Sequence, residues 1–243
     1  MPRKIVIIGA VALGPKVACR ARRVDPTAEV LLIEQNRDFS YGGCGLPFFV
    51  SGDVSDIRAL MSTSFHMVRD AYFFKEAKGV EVQDLTRAVS IDRSRQLVKL
   101  RHLAGGEEND IPYDALVLAT GSIPFKPDLP GLSLGGITAV SNPSEAVAIK
   151  ESLSKGRVGQ CVVIGAGPIG LEMAQAVSDL WGVETTVLEI QNQILPGLLD
   201  PDLARMVQEE LKRKEITVRL GERVLRFIGN EEGKVRTVVT DQG

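Results

Sequence analysis

The sequence predicts an α/β fold of two parallel-sheet units, with helices on both faces of each sheet and antiparallel hairpin additions. Three observations predict it. Lys4 to Gly9 (KIVIIG) and Cys161 to Gly165 (CVVIG) are short continuous apolar runs, the pattern of a parallel strand buried on both sides. Each runs into a glycine-rich turn and then a helical pattern. Each helix leads to a second apolar strand that closes on a glutamate, VLLIE on Glu34 and TTVLE on Glu189. A βαβ unit therefore recurs about 155 residues along the chain, as two domains of one architecture require.

The elements follow in order. Ile5 to Ile8 is too short for the core of a secretory leader and no small-residue cleavage site follows, so it reads as a buried first strand. Thr86 to Arg101 alternates apolar and polar positions around a polar turn at Asp92–Gln96, which predicts an antiparallel hairpin. Ala115 to Ala119 (ALVLA) is another buried strand, ending in Thr120–Gly121. The loop from Ser122 to Gly136, rich in Pro and Gly, is the best linker candidate. A helix over Ser144 to Leu153, with Pro143 and Glu145 as its start signal, opens the second domain near Ser141. The expected bounds are a first domain over 1–121, a linker over 122–140 and a second domain over 141–243. After Cys161 there is one βαβ unit, a helix over Asp202 to Lys214, and two or three strands ending near Thr240. A complete doubly wound domain has two βαβαβ halves, so the second domain reads as incomplete and the chain as an N-terminal portion.

Bulk properties exclude some partners. The 243 residues are 44% hydrophobic and 25% charged with a net charge of −2, which gives no electrostatic reason to expect nucleic acid or an anionic membrane. No apolar run approaches the ~18 residues of a membrane span. Cys19, Cys44 and Cys161 are an odd number with no metal spacing, so no metal is expected and a reducing, cytoplasmic compartment is.

The glycine turns carry the first functional signal. Gly165-Ala166-Gly167-Pro168-Ile169-Gly170 follows a strand and opens a helix, the context that makes G-x-G-x-x-G a dinucleotide fingerprint. The first glycine makes the tight turn and the second lets the backbone approach a pyrophosphate. The third packs helix on strand, and the helix N-terminus faces the anion. Glu189, 19 residues after Gly170, can accept from a ribose 2′-hydroxyl and would repel a 2′-phosphate. Ile190 to Leu195 has no Lys or Arg to welcome one, so NADH is expected over NADPH. The first turn, Gly9-Ala10-Val11-Ala12-Leu13-Gly14, has Val11 in the middle glycine's place, but Glu34 lies 20 residues after Gly14. Pro15 falls in the first helical turn, where its missing N–H costs little. Both units therefore read as Rossmann-like nucleotide-binding domains.

Ser40-Tyr41-Gly42-Gly43-Cys44-Gly45-Leu46-Pro47 lies just beyond Glu34. Glycines on both sides keep bulk away from the sulfur, and Pro47 before an apolar run predicts a helix starting at or just after Cys44. A helix N-terminus there would favour the thiolate. Strand, nucleotide turn, glutamate and S-x-x-x-C-G-L-P, followed by ALVLATGSIP and a second motif backed by Leu171 and Glu172, resemble the pyridine nucleotide-disulfide reductases. Within them the likeness is to the coenzyme A-disulfide reductases and their relatives, the NADH oxidases, NADH peroxidases and persulfide reductases.

The resemblance spans the whole chain. It implies FAD on Gly9, Val11, Ala12, Gly14, Glu34, Gln35, Val82, Thr120 and Gly121. It implies NADH on Gly165, Gly167, Ile169, Gly170, Glu172 and Glu189. Members with a dithiol carry a second cysteine five residues after the first; here that position is Phe49, which implies a single-cysteine cycle on Cys44. Cys19 and Cys161 read as structural, and His66 and His102 as surface or loop residues. Lys16, Arg20 and Arg23 share one helical face. With Ser40, Gly43 and Lys78 they map onto the family's contacts to a thiol or disulfide substrate, including one linked to coenzyme A, whose phosphates suit a cationic stripe. Relatives that reduce coenzyme A disulfide usually carry Asn where this chain has Gly43. That keeps open an NADH oxidase or peroxidase working through a cysteine sulfenic acid. A third reading is a nucleotide-binding electron-transfer module in which Cys44 is not chemical. The resemblance further implies a later segment that completes the flavin domain and a homodimer.

Overall fold

The computed structural model describes residues 1–243. Along the chain come β1 (Lys4–Ile8), α1 (Leu13–Val24), β2 (Glu29–Ile33), α2 (Leu46–Ser51), α3 (Ala71–Lys78), β3 (Glu81–Gln83), β4 (Thr86–Asp92), β5 (Leu97–His102), β6 (Glu108–Pro112) and β7 (Ala115–Leu118). Then follow α4 (Pro143–Ser154), β8 (Gln160–Ile164), α5 (Pro168–Asp179), β9 (Glu184–Glu189), α6 (Pro201–Arg213), β10 (Thr217–Leu220), β11 (Val224–Gly229) and β12 (Val235–Thr240). They form two compact units, Met1–Gly43 with Asp56–Ile123, and Cys44–Ser55 with Pro124–Gly243.

In the first unit β3-β2-β1-β7 make a parallel sheet. Side chains alternate across it, and both faces are buried, which is why the strands are uninterrupted apolar runs. Ile7 and Leu32 point to one side, where they pack with Ala18 of α1 and Phe74 of α3. Val6 and Ile33 point to the other, where they meet Val98 and Leu100 of the antiparallel sheet β4-β5-β6. The hairpin expected over Thr86–Arg101 is thus present, and it covers the face on which helices were expected. Its inward Val98 and Leu100 are fully buried, so a period-two strand supplies the apolar cover that a helix would otherwise bring. The hairpin carries a third strand, β6, that the sequence did not reveal.

The second unit repeats this plan. β10-β9-β8 are parallel. Val187 packs with Leu171 and Ala174 of α5 and with Ala204 and Leu211 of α6. Leu188 faces the other way, onto Val224 and Phe227 of the β11–β12 hairpin. Residues 122–140 are not a free linker. Leu129, Leu132, Leu134 and Ile137 pack on that hairpin core. The Phe227 N–H donates to the Pro130 carbonyl at 2.8 Å, and the Val235 N–H to that of Gly135 at 2.8 Å. The second unit therefore begins at Pro124 rather than near Ser141, and it also takes in Cys44–Ser55.

Helix starts follow local chemistry. Asn142 caps α4 by accepting from the Glu145 N–H at 3.0 Å, and Glu145 accepts in return from the Ser141 N–H at 2.8 Å. Asp70 caps α3 through the Phe73 N–H at 2.8 Å, and Gly79 closes it at φ 62°.

Candidate functional site: two glycine turns and an exposed thiol

The two glycine turns share their backbone hydrogen bonds. The Gly9 N–H donates to the Ile33 carbonyl at 2.8 Å, and the Gly165 N–H to the Leu188 carbonyl at 2.8 Å. The Ala10 N–H donates to the Glu34 carboxylate at 2.9 Å, and the Ala166 N–H to the Glu189 carboxylate at 2.7 Å. Each carboxylate also accepts from the N–H two residues on, Asn36 at 3.0 Å and Gln191 at 2.8 Å. Ser40 and Leu195 donate to the carbonyls of Ala10 and Ala166 from left-handed backbone, at φ 53° and 48°. Both glutamates are buried. A charge held there needs such bonds, and they fix each carboxylate at the rim of its turn.

The glycines serve distinct ends. A Cβ on Gly9 would stand 2.1 Å from the Ala119 carbonyl oxygen, and on Gly14 1.8 Å from that of Gly9. A Cβ on Gly170 would stand 2.1 Å from the Gly165 oxygen, whereas at Gly167 nothing lies within 4 Å. Gly9, Gly14 and Gly170 are thus forced by packing and Gly165 by its φ of 100°, whereas the middle position faces open space in the second turn and carries Val11 in the first.

The donor set fits an anion at both turns. α1 starts from Ala12 and α5 from Gly167, with no side chain capping either and no acid in either first turn. α3 and α4 are capped by Asp70 and Asn142. Uncapped N-termini leave N–H groups for a phosphate. Gly9, Glu34 and Thr120–Gly121 lie beyond the carboxyl ends of their strands, the edge where such sheets bind nucleotides, and Val82 is the middle residue of β3. Gln35 is exposed and accepts from Arg87 Nε at 3.1 Å. Ile169 and Glu172 are exposed on the first turns of α5. A cavity of about 610 Å3 opens elsewhere, among Lys4, Glu29 and Glu81 at the amino ends of β1, β2 and β3. None of the residues of either glycine turn lines it.

Cys44 stands in a single 3-10 turn, Gly43–Gly45, immediately before α2. It is exposed, and all three cysteines are free thiols. Cys19 and Cys161 are partly covered, and burial pushes both thiols up from the ordinary cysteine value. Gly43 is exposed and does not adopt left-handed backbone; a Cβ there would come no nearer than 3.9 Å to the Tyr41 ring.

The family model of the pyridine nucleotide-disulphide oxidoreductases matches residues 3–243. The chain belongs to that family. Among its members, the NAD(P)H sulfur oxidoreductase (CoA-dependent) of Pyrococcus abyssi is 33% identical over 241 residues, which cover 99% of this chain and 51% of that one. The NADH oxidase of Methanocaldococcus jannaschii is 30% identical over 238 residues, 98% of this chain and 51% of that one. The solved NAD-dependent persulfide reductase of A. fulgidus is 38% identical with a TM-score of 0.94, over 99% of this chain and 43% of that one. The chain spans about half the length of the relatives it matches.

The remaining residues expected from the family resemblance are placed as follows. Lys16, Arg20 and Arg23 are all exposed on α1. Lys78 ends α3, its ammonium 5.4 Å from the Phe73 ring centroid. Both Lys78 and Arg23 act on the Cys19 thiol, so α3 brings Lys78 to the α1 stripe. None of the four takes part in an ion pair. Ser40 is buried, with its backbone tied to the first turn. No helix is long and apolar enough to cross a membrane. The anchors of the two glutamates, Ala10 and Ala166, escape sequence reasoning because a backbone N–H leaves no mark in residue type.

Proposed function

We propose that the complete protein is an FAD-containing, NADH-dependent reductase of a disulfide or persulfide, coenzyme A-linked, with Cys44 as its one redox thiol. In this reading the first unit holds FAD and the second holds NADH. The observation that carries it is Cys44 itself: an exposed thiol between glycines, with Phe49 where a dithiol enzyme has its second cysteine.

A solitary thiolate must take its second sulfur from the substrate. Cys44 attacks one sulfur of the disulfide, forming a mixed disulfide and releasing one thiol. Two electrons from NADH then cleave that bond, releasing the second thiol and restoring the Cys44 thiolate, so one NADH and one proton convert one disulfide to two thiols. Bound FAD would accept the hydride from NADH and pass the electron pair to sulfur. Glu189 would accept from the nicotinamide nucleotide's ribose and disfavour a 2′-phosphate, so NADH is preferred over NADPH. Glu34 would do the same for the flavin's adenosine ribose. Lys16, Arg20, Arg23 and Lys78, all without ion-pair partners, would receive the substrate's phosphates. The same reading makes the protein a homodimer of the reducing cytoplasm.

Replacing Cys44 by Ser and following NADH consumption with coenzyme A disulfide or a persulfide tests this; undiminished turnover would rule it out. Gly43 favours a second reading, an NADH oxidase or peroxidase cycling Cys44 through a sulfenic acid. Stoichiometric NADH oxidation by oxygen or peroxide without any thiol substrate would select it.

A further inference from the structure

The segment after Cys44 is gripped by two side chains that no motif marks. α2 has six residues, too few to persist as an isolated helix. Its last carbonyls need donors. That of Phe48 accepts from the Val54 N–H at 2.9 Å, and that of Phe49 from the Gly52 N–H at 3.3 Å. The carbonyl of Val50 accepts from the indole Nε1–H of Trp181 at 2.9 Å. Val50 is fully buried, so water is a poor substitute for that indole. Lys150, on α4, donates to the Val54 carbonyl at 3.2 Å and places its ammonium 4.0 Å from the centroid of the Phe49 ring. Such a cation over an aromatic face is held by both contacts together. Leu180 lies against Gly52, whose φ of 93° turns the chain out of the helix.

Cys44 has no such support of its own. Glycines flank it and it is exposed. α2 is the rigid element it is joined to, and both belong to the same compact unit as Trp181 and Lys150. We infer that Trp181 and Lys150 are positioning residues for Cys44: by fixing α2 they set the direction in which the thiol is presented. The inference rests on the reading of Cys44 as the redox thiol. A displacement of about 1 Å at a reacting atom costs about a hundredfold in rate, so a loosened α2 has a measurable effect.

The test uses the full-length flavin-loaded protein with Cys44→Ser, Trp181→Phe, Lys150→Met and Lys150→Arg. Trp181→Phe keeps a ring and removes the donor; Trp181 is the chain's one tryptophan, so loss of indole emission verifies the exchange. Lys150→Met keeps the stem and removes the cation. Trp181→Phe and Lys150→Met should each lower kcat about tenfold with KM for NADH unchanged. A thiolate stacked on bound oxidised flavin would give a long-wavelength charge-transfer absorbance; both variants should weaken it by half or more and speed amide hydrogen exchange over residues 48–51 at least tenfold. Lys150→Arg should restore all three. Unchanged kcat and absorbance, whether or not exchange accelerates, would overturn the inference, because the clamp would then be structural only. If Trp181→Phe does not fold, the Lys150 pair decides between the same two outcomes. Full turnover in Cys44→Ser would instead remove the underlying reading of the thiol, whatever the other variants do.

Discussion

Gly14 and Gly43 sit in opposite steric situations. A methyl on Gly14 would lie 1.8 Å from the Gly9 carbonyl oxygen, a backbone atom that cannot swing aside. Gly14→Ala should cost about 3 kcal/mol in a denaturant titration and weaken nucleotide retention at the first turn. Gly43 has room, and Gly43→Asn should fold with wild-type stability. If Gly43 is what blurs the substrate, that variant should raise kcat/KM for coenzyme A disulfide relative to peroxide. An unchanged ratio would show that selectivity resides elsewhere. At Cys44 the expected loss in Cys44→Ser is at least about a thousandfold, the scale seen when a nucleophile is removed. Single residues were legible in the sequence where spacing constrains them. The distance from Gly170 to Glu189 located that carboxylate, because a strand and a helix of normal length leave few alternatives. The left-handed Ser40 and Leu195 were not legible, since neither residue type signals positive φ.

α1 shows what an element adds. Lys16, Arg20 and Arg23 recur at helical spacing and are exposed without ion-pair partners, and α3 delivers Lys78 to the same region. Exposed charge contacts are worth roughly 0.5 kcal/mol each, so neutralising the three on α1 should remove about 1.5 kcal/mol of binding. That is about a tenfold rise in KM for coenzyme A disulfide. KM for a small disulfide without phosphates should not move, and the difference should shrink at high salt. Equal effects on both substrates would mean the stripe is only a solvated face. Helices were legible through their start signals, as at Pro143 and Glu145. β6 was not, because Glu108, Asn109 and Asp110 make a polar edge strand whose partner row is supplied by β5. The stretch over 122–140 read as a linker because its Pro and Gly dominate locally. Its leucines acquire a role only against Phe227, almost a hundred residues further on.

At the scale of the whole chain, one plan is used twice. Each unit has a parallel sheet with helices on one face and antiparallel strands on the other, and each buries a glutamate against its own glycine turn. In the proposed reading the two turns bind two nucleotides separately, and the symmetry of the hydrogen bonds allows the same substitution to be made in each. In Glu34→Gln the amide can still accept from one backbone N–H, but its NH2 group faces the other, leaving a buried donor unpaired at about 1–3 kcal/mol. The damage should stay local, because the bonds involved close within one unit. Glu34→Gln should therefore weaken FAD binding about tenfold or more, read by flavin fluorescence, with Kd for NADH within twofold of wild type. Glu189→Gln should do the reverse. It should also narrow the gap between NADH and NADPH, since it removes the negative charge that a 2′-phosphate would meet. If either variant shifts both nucleotides equally, the two turns do not act as independent sites and the division of labour between the units fails.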